Sequence, residues 1–294
     1  MKTKDLTLNG TPGYFQLGDE TCLITDPPHP VSSDLGGVDI KGFSIAAKDG
    51  LAWNDNDALP SASATRGEFR SRDVRANGVW YTDAWDLTRT PETHPLYGST
   101  DSNMKQTEGQ WMNGKQNRPV AFIRLLGDRE SIFINPYGAR KPAGLTETVY
   151  PFCYGTRRYC TQIRMHNGGL MDFVYWVDGE LILGLPDFPV DDPGNLGDLH
   201  VKIGVYLRKR ELGLKNGAPD LWVKVDNFRS HRGVATVDDT APSRPISVAP
   251  QFVALAAAVR KIVVPPKRQA VATRIAKSLD RLAANIRADA GETL

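Results

Sequence analysis

Cysteine, histidine and long apolar runs are all scarce in this chain of 294 residues. Its three cysteines, Cys22, Cys153 and Cys160, exclude a disulfide framework, and Cys153 and Cys160 lack the short spacing of a zinc site. They read as small buried hydrophobes, with pairing of the last two across a β-turn as the alternative. No apolar run reaches membrane-spanning length, which excludes a spanning helix. Met1-Lys2-Thr3-Lys4-Asp5 is not followed by an apolar segment, so no secretory leader is predicted. The expected location is cytoplasmic at synthesis, and release by lysis, as from a virion component, is the route that would take such a chain outside. Internal repeats and low-complexity tracts are absent.

Charge is nearly balanced at +2 but unevenly spread. From Gln251 onward eight basic residues face three acidic ones, so the tail carries +5 and the body −3. Glycine (27) and proline (20) are plentiful and punctuate short apolar runs, the pattern of a turn-rich β protein. Strands are predicted at 78–82, 120–126, 131–134, 159–165, 171–177 and 180–183. Turn words separate them, among them Asp178-Gly179 and Asn216-Gly217. Two longer alternating runs, Leu199 to Tyr206 and Leu221 to Arg229, flank a polar loop. Many short strands without helical periodicity predict an all-β sandwich or jelly roll.

Three segments are expected. Residues 1–50 read as an irregular lead-in with short strands, packed on the sandwich, and 51–240 as the sandwich itself. Residues 241–294 read as a Pro-rich linker and a basic helical tail. In the tail Val271, Ile275, Leu279, Leu282 and Ile286 recur at helical spacing. That stripe fits packing on the body, self-association through a short coiled coil, or docking on an acidic partner. Nucleic-acid binding by the tail would rest on its charge alone.

Alternation puts His200, Lys202, Gly204 and Tyr206 on one strand face, and Arg66, Glu68 and Arg70 on another. Two guanidiniums held by a carboxylate suit bidentate binding of an anionic group, although a solvated face with internal ion pairs gives the same pattern. His, Lys and Tyr in a row are poor core material and suit binding and deprotonating an acidic substrate. Tyr206 alone would more often be a half-buried aromatic, and Lys202 a surface lysine.

Taken together and in chain order, four segments resemble the concanavalin-like jelly-roll polysaccharide lyases of the heparinase-I and alginate-lyase type. Thr65-Arg66-Gly67-Glu68-Phe69-Arg70 resembles the "R-[ST]-E-[FLV]-R" strand, with Gly67 in the small position. Gln110-Trp111-Met112 resembles "Q-[IVW]-H", with Met112 where the family has His, and Arg118-Pro119-Val120-Ala121-Phe122 resembles the strand after it. Trp176-Val177-Asp178-Gly179 resembles a fold-marking "W-x-D-G" hairpin. Lys202 to Tyr206 resembles "Y-F-K-A-G-x-Y-x-Q", with His200 for the first Tyr and Arg208 for the Gln. The resemblance covers about residues 60 to 230 and implies an acidic polysaccharide as substrate, cut by β-elimination. It implies no cofactor and at most a structural Ca²⁺. Tyr206, Gln110, Arg70, Lys202 and His200 are the implied catalytic residues, His94 being the other candidate for the base. Arg66, Glu68, Arg208, Arg118 and Trp111 are implied to bind substrate. A catalytically dead carbohydrate-binding or virion module of the same fold is the competing reading. A glycoside hydrolase ranks last, because no "E-x-D-x-x-E" strand carries paired carboxylates.

Overall fold

The computed structural model describes residues 2–29, 35–48, 64–72, 75–93, 106–113, 118–126, 129–134, 147–166, 169–189, 199–208 and 221–242. The predicted helical tail, His94 and the loop between Arg208 and Leu221 lie outside them. The described strands, in chain order, are β1 (Leu6–Leu8), β2 (Thr11–Leu17), β3 (Leu23–Asp26), β4 (Asp39–Ile40), β5 (Gly42–Ala47) and β6 (Ala64–Ser71). They continue with β7 (Trp80–Arg89), β8 (Gln106–Asn113), β9 (Arg118–Leu126), β10 (Arg129–Ile134) and β11 (Glu147–Pro151). The last are β12 (Gly155–His166), β13 (Leu170–Val177), β14 (Glu180–Pro189), β15 (His200–Arg208) and β16 (Leu221–Arg232), with the short helix α1 (Val237–Thr240) after them.

Two sheets form. Nine strands run in the order β11-β10-β9-β8-β15-β6-β2-β1-β4, and seven in the order β14-β13-β12-β7-β16-β5-β3. Among the described strands every pairing is antiparallel except β1 with β4. Alternation sets the inner faces: Val201, Ile203 and Val205 of β15 and Val223 and Val225 of β16 are buried in the core. Phe15 meets Phe43 across the layer with ring centroids 4.9 Å apart, and Phe69 meets Phe228 at 5.9 Å. Aromatic pairs of this kind set the sheet separation, because their bulk leaves few other packings.

Polar groups also bridge the layer. Arg89 donates to Glu130 at 2.5 Å, Tyr159 donates to the same carboxylate at 2.7 Å, and Arg157 donates to its other oxygen at 2.8 Å. Burial drives the Tyr159 phenol well above its ordinary pKa. It is therefore a neutral donor at any physiological pH.

The lead-in is more regular than the sequence suggests. Residues 6–47 supply β1 to β5, woven into both sheets, because runs such as Tyr14-Phe15-Gln16-Leu17 are buried on both faces and show no clean alternation. The two long alternating runs also part company: β15 lies in the nine-stranded sheet and β16 in the seven-stranded one. The Asp178-Gly179 turn closes the β13–β14 hairpin with both residues at positive φ (53° and 84°), as a two-residue primed turn requires. All three cysteines are free thiols.

Candidate active site

The polar face of the nine-stranded sheet is assembled from four neighbouring strands. In the β15–β6 ladder Lys202 stands opposite Arg70, Gly204 opposite Glu68, and Tyr206 opposite Arg66. In the β15–β8 ladder His200 stands opposite Met112 and Lys202 opposite Gln110. On the other flank Tyr14 of β2 is opposite Arg70, and Gln16 opposite Glu68. Register alone thus places Tyr14, Arg70, Lys202 and Gln110 in one row across four strands. The two charged runs singled out in the sequence, far apart in the chain, become adjacent.

This face is not a solvated one. Lys202 is 0% exposed, Glu68 1% and His200 4%, whereas Arg66, Arg70 and Tyr206 are half-buried. Lys202 therefore departs from the surface position that lysine ordinarily takes. Arg66 Nε lies 2.8 Å from Glu68 Oε2, and the Arg66 guanidinium lies over the Tyr206 ring, 4.6 Å from its centroid. Glu68 fixes Arg66, and Arg66 fixes the ring.

Gly204 shapes the centre. The β15–β8 register slips by one residue between Ile203 and Tyr206, a β-bulge that re-aims the side chains after it. Gly204 has φ +139, and a Cβ there would lie 2.2 Å from the Gly67 carbonyl oxygen. Only glycine fits. Gly67, on the facing strand, points the other way, where a Cβ would meet the Ala46 carbonyl oxygen at 2.4 Å. The small position in the Arg66-to-Arg70 motif is therefore fixed by close approach of the second sheet.

Trp111 corrects a sequence expectation. It is fully buried between the sheets, 5.8 Å from Trp85 and 5.6 Å from Phe173 by ring centroids, and its Nε1 donates to Asp83 at 3.2 Å. Strand alternation puts it on the opposite face from Gln110's register row, so it is core and not a substrate contact. The side chains of Gln110, Arg118 and Arg208 lie outside the described residues. Their backbone positions are on β8, β9 and β15.

Sequence reading missed three residues on the same sheet face. Tyr14 and Gln16 sit in the lead-in, where nothing local announces pairing with β6. Arg124 of β9, opposite Thr107 and Ser131, is 3.7 Å from Glu147. A lone arginine inside an apolar run was its available signal.

His166 is half-buried, and its Nε2 lies 2.8 Å from Asp172. His166, Asp172 and Asp187 bring potential metal-ligand atoms within 4.8 Å of one another. Asp172 also accepts from the Arg164 guanidinium and from the Asp187 N–H. Burial raises its pKa, but the hydrogen bonds from Asp187, His166 and Arg164 outweigh that, leaving the carboxyl below its ordinary value. This ion-paired group belongs to the seven-stranded sheet and is separate from the Lys202 row.

Fold and site together define a concanavalin-like jelly roll with a charged, partly buried sheet face. No protein-family model matches the chain, and no curated protein matches it. Among solved structures it is similar to an endo-β-1,4-glucuronan lyase from the fungus Trichoderma reesei. That match has a TM-score of 0.50 and 13% identity over 83% of this chain and 99% of the other. An alginate lyase of Polysaccharide Lyase family 7 matches with a TM-score of 0.44 and 16% identity, covering 78% and 94% of the two chains. A GH131 β-glucanase catalytic domain from Podospora anserina matches at 0.44 and 12%, covering 68% and 74%. At these identities the likeness is one of fold. Among the described residues no helix is long and apolar enough to cross a membrane.

Proposed function

We propose that this chain is a polysaccharide lyase that cleaves a uronate-containing glycan by β-elimination. One observation carries the reading: β6, β8 and β15 bring Arg70, Lys202 and Gln110 into one register row, with His200 and Tyr206 on the same strand as Lys202. The glucuronan lyase that shares the fold over most of both chains acts on a glycan of that kind.

The chemistry asks three things of the site. The proton at C5 of a uronate is weakly acidic while the neighbouring carboxylate is charged, so cationic and amide donors must neutralise that charge and stabilise the enolate-like state. Arg70, Lys202 and Gln110 take this role. A base then removes the C5 proton, the C4–C5 double bond forms as the C4–O bond breaks, and an acid protonates the departing glycosidic oxygen. With Met112 where the family places its histidine, His200 is the base. It lies directly across the ladder from Met112, so an imidazole is offered from the neighbouring strand. Tyr206, held by Arg66, is the acid.

The test is ultraviolet absorbance of the unsaturated uronate formed on incubation with alginate, glucuronan, heparin-type chains, pectate and gellan-like polymers. A rise that Tyr206→Phe abolishes supports the lyase. No rise on any polymer, with retained binding to one, favours the catalytically inactive binding module that the Met112 departure would produce.

A further inference from the structure

The register row that holds the candidate site runs further than its charged residues. From Gln110 of β8 it passes to Phe122 of β9, then to Phe133 of β10, and ends at Glu147 of β11. Residues directly opposite one another share a sheet face, so both rings stand on the face of Lys202 and Gln110. That face does not fill the core: Ile123, Ile132 and Ile134, at the alternate positions, are the ones buried between the sheets. Phe122 and Phe133 are only half-buried, and they stack with centroids 4.8 Å apart and planes 30° from parallel. That separation matches the spacing of neighbouring strands, about 4.8 Å. The rings therefore stand side by side across β9 and β10, with the outer face of Phe122 turned toward β8. Val149, opposite Ser131 on the same sheet face, is 51% exposed and widens the apolar patch. Core formation does not call for three apolar side chains at these positions.

We infer that Phe122 and Phe133 form a stacking platform that seats another sugar of the same glycan, further along the chain from the unit being cut. This rests on the proposed lyase activity. Phe122 lies two strands from Lys202 in the row, about 10 Å at the usual strand spacing. A sugar whose carboxylate is held at Lys202 does not reach the rings, whereas a chain laid across the strands does. A pyranose offers a face of C–H groups, and an aromatic ring takes that face without using charge. The platform does not select a carboxylate, because the ring faces carry the negative side of the π quadrupole. Glu147, which ends the row and accepts from the Ser131 hydroxyl at 2.6 Å, places a further carboxylate beside them. Arg124, on the same face of β9, lies 3.7 Å from Glu147, so that pair brings little net charge to the rings. The row thus divides its work: Arg70, Lys202 and Gln110 hold the acid group of one unit, and the two rings hold the body of another.

Titration calorimetry with hexasaccharides of the polymers named above tests this, using the full chain with Tyr206→Phe so that binding is read without turnover. Phe122→Leu/Phe133→Leu in that background keeps apolar bulk and removes the stacking faces. Affinity is expected to fall about tenfold, and by the same factor at low and high salt, since no charge is lost. Phe122→Tyr/Phe133→Tyr keeps the rings and the affinity, and leucine at either position alone gives part of the loss. Urea midpoints separate lost stacking from a lost fold. Unchanged affinity in the folded leucine variants, or a loss that high salt erases, overturns the platform and leaves the lyase reading standing. Binding that depends on the rings, with no unsaturated product from any polymer in the unaltered chain, supports the platform and overturns the lyase. Absence of binding to every hexasaccharide overturns both.

Discussion

The Arg66 guanidinium lies over Tyr206, 4.6 Å from the ring centroid, while its Nε is 2.8 Å from the buried Glu68 carboxylate. The pair links the two charged strands that carry the proposed chemistry. It makes the phenol's orientation depend on a residue from a distant part of the chain. Arg66 is thus a positioning residue, and Glu68 positions Arg66 in turn.

Removing that support should be felt in turnover before binding. Arg66→Ala is expected to lower kcat by about tenfold, the value of one cation–π contact, with a smaller change in KM. Arg66→Lys recovers part of the loss. Initial rates of unsaturated-product formation are the measurement, and an unchanged kcat removes Arg66 from the positioning of Tyr206.

The His200–Met112 relationship gives a sharper test. His200→Gln is expected to lower kcat by about a hundredfold or more, the usual contribution of a general base. Met112→His in that background places an imidazole directly across the ladder and should restore activity in part. Failure of both variants to alter the rate would exclude His200 as the base.

Gly204→Ala should destabilise the whole sandwich. The added Cβ would meet the Gly67 carbonyl oxygen at 2.2 Å, in a backbone conformation at φ +139. Strain of about 1–3 kcal/mol is expected from the dihedral alone, and the clash adds to it. The midpoint of urea unfolding measures it. Gly184→Ala is the control, since nothing lies within 4 Å of a Cβ there.

Acid should loosen the last described segment. Arg158 donates to the Asp239 and Asp238 carbonyl oxygens, and the Asp239 carboxylate accepts from the Thr236 N–H and hydroxyl and from His231, closing α1 onto the seven-stranded sheet. Burial raises the Asp239 pKa, but the Thr236 and His231 hydrogen bonds outweigh it and hold the carboxyl below its ordinary value. A depressed carboxylate stabilises the fold above its unfolded pKa, and that contribution disappears as pH falls through the folded value. Asp239→Asn should therefore cost about 1.5–3 kcal/mol at neutral pH. The gap to the unaltered chain should narrow as pH falls below the ordinary carboxylate range, through the depressed folded value. Urea midpoints across that range decide it, and a gap independent of pH would show that Asp239 acts through shape alone.

Much of the fold was legible because strand alternation is a local property. The β12, β13 and β14 runs and the Asp178-Gly179 turn declare themselves within a few residues, since burying one face of a strand demands period two. The same rule put Arg66, Glu68 and Arg70 on one face, and His200, Lys202 and Tyr206 on another. It could equally have returned Trp111 to the core, because Trp111 adjoins Gln110 in the same strand and must face the other way. Motif resemblance overrode alternation there.

What the chain could not declare is which strands become neighbours. The β6 and β15 segments lie more than a hundred residues apart, and their register, with Lys202 opposite Arg70, comes from closing the sandwich around Phe69, Ile203 and Phe228. The same closure buries Lys202 and inserts β2 beside β6. Sequence determined the composition of each strand face because that is set by neighbours two residues apart. Tertiary structure alone decided which faces share a row, because strand pairing is fixed by the packing of the whole core.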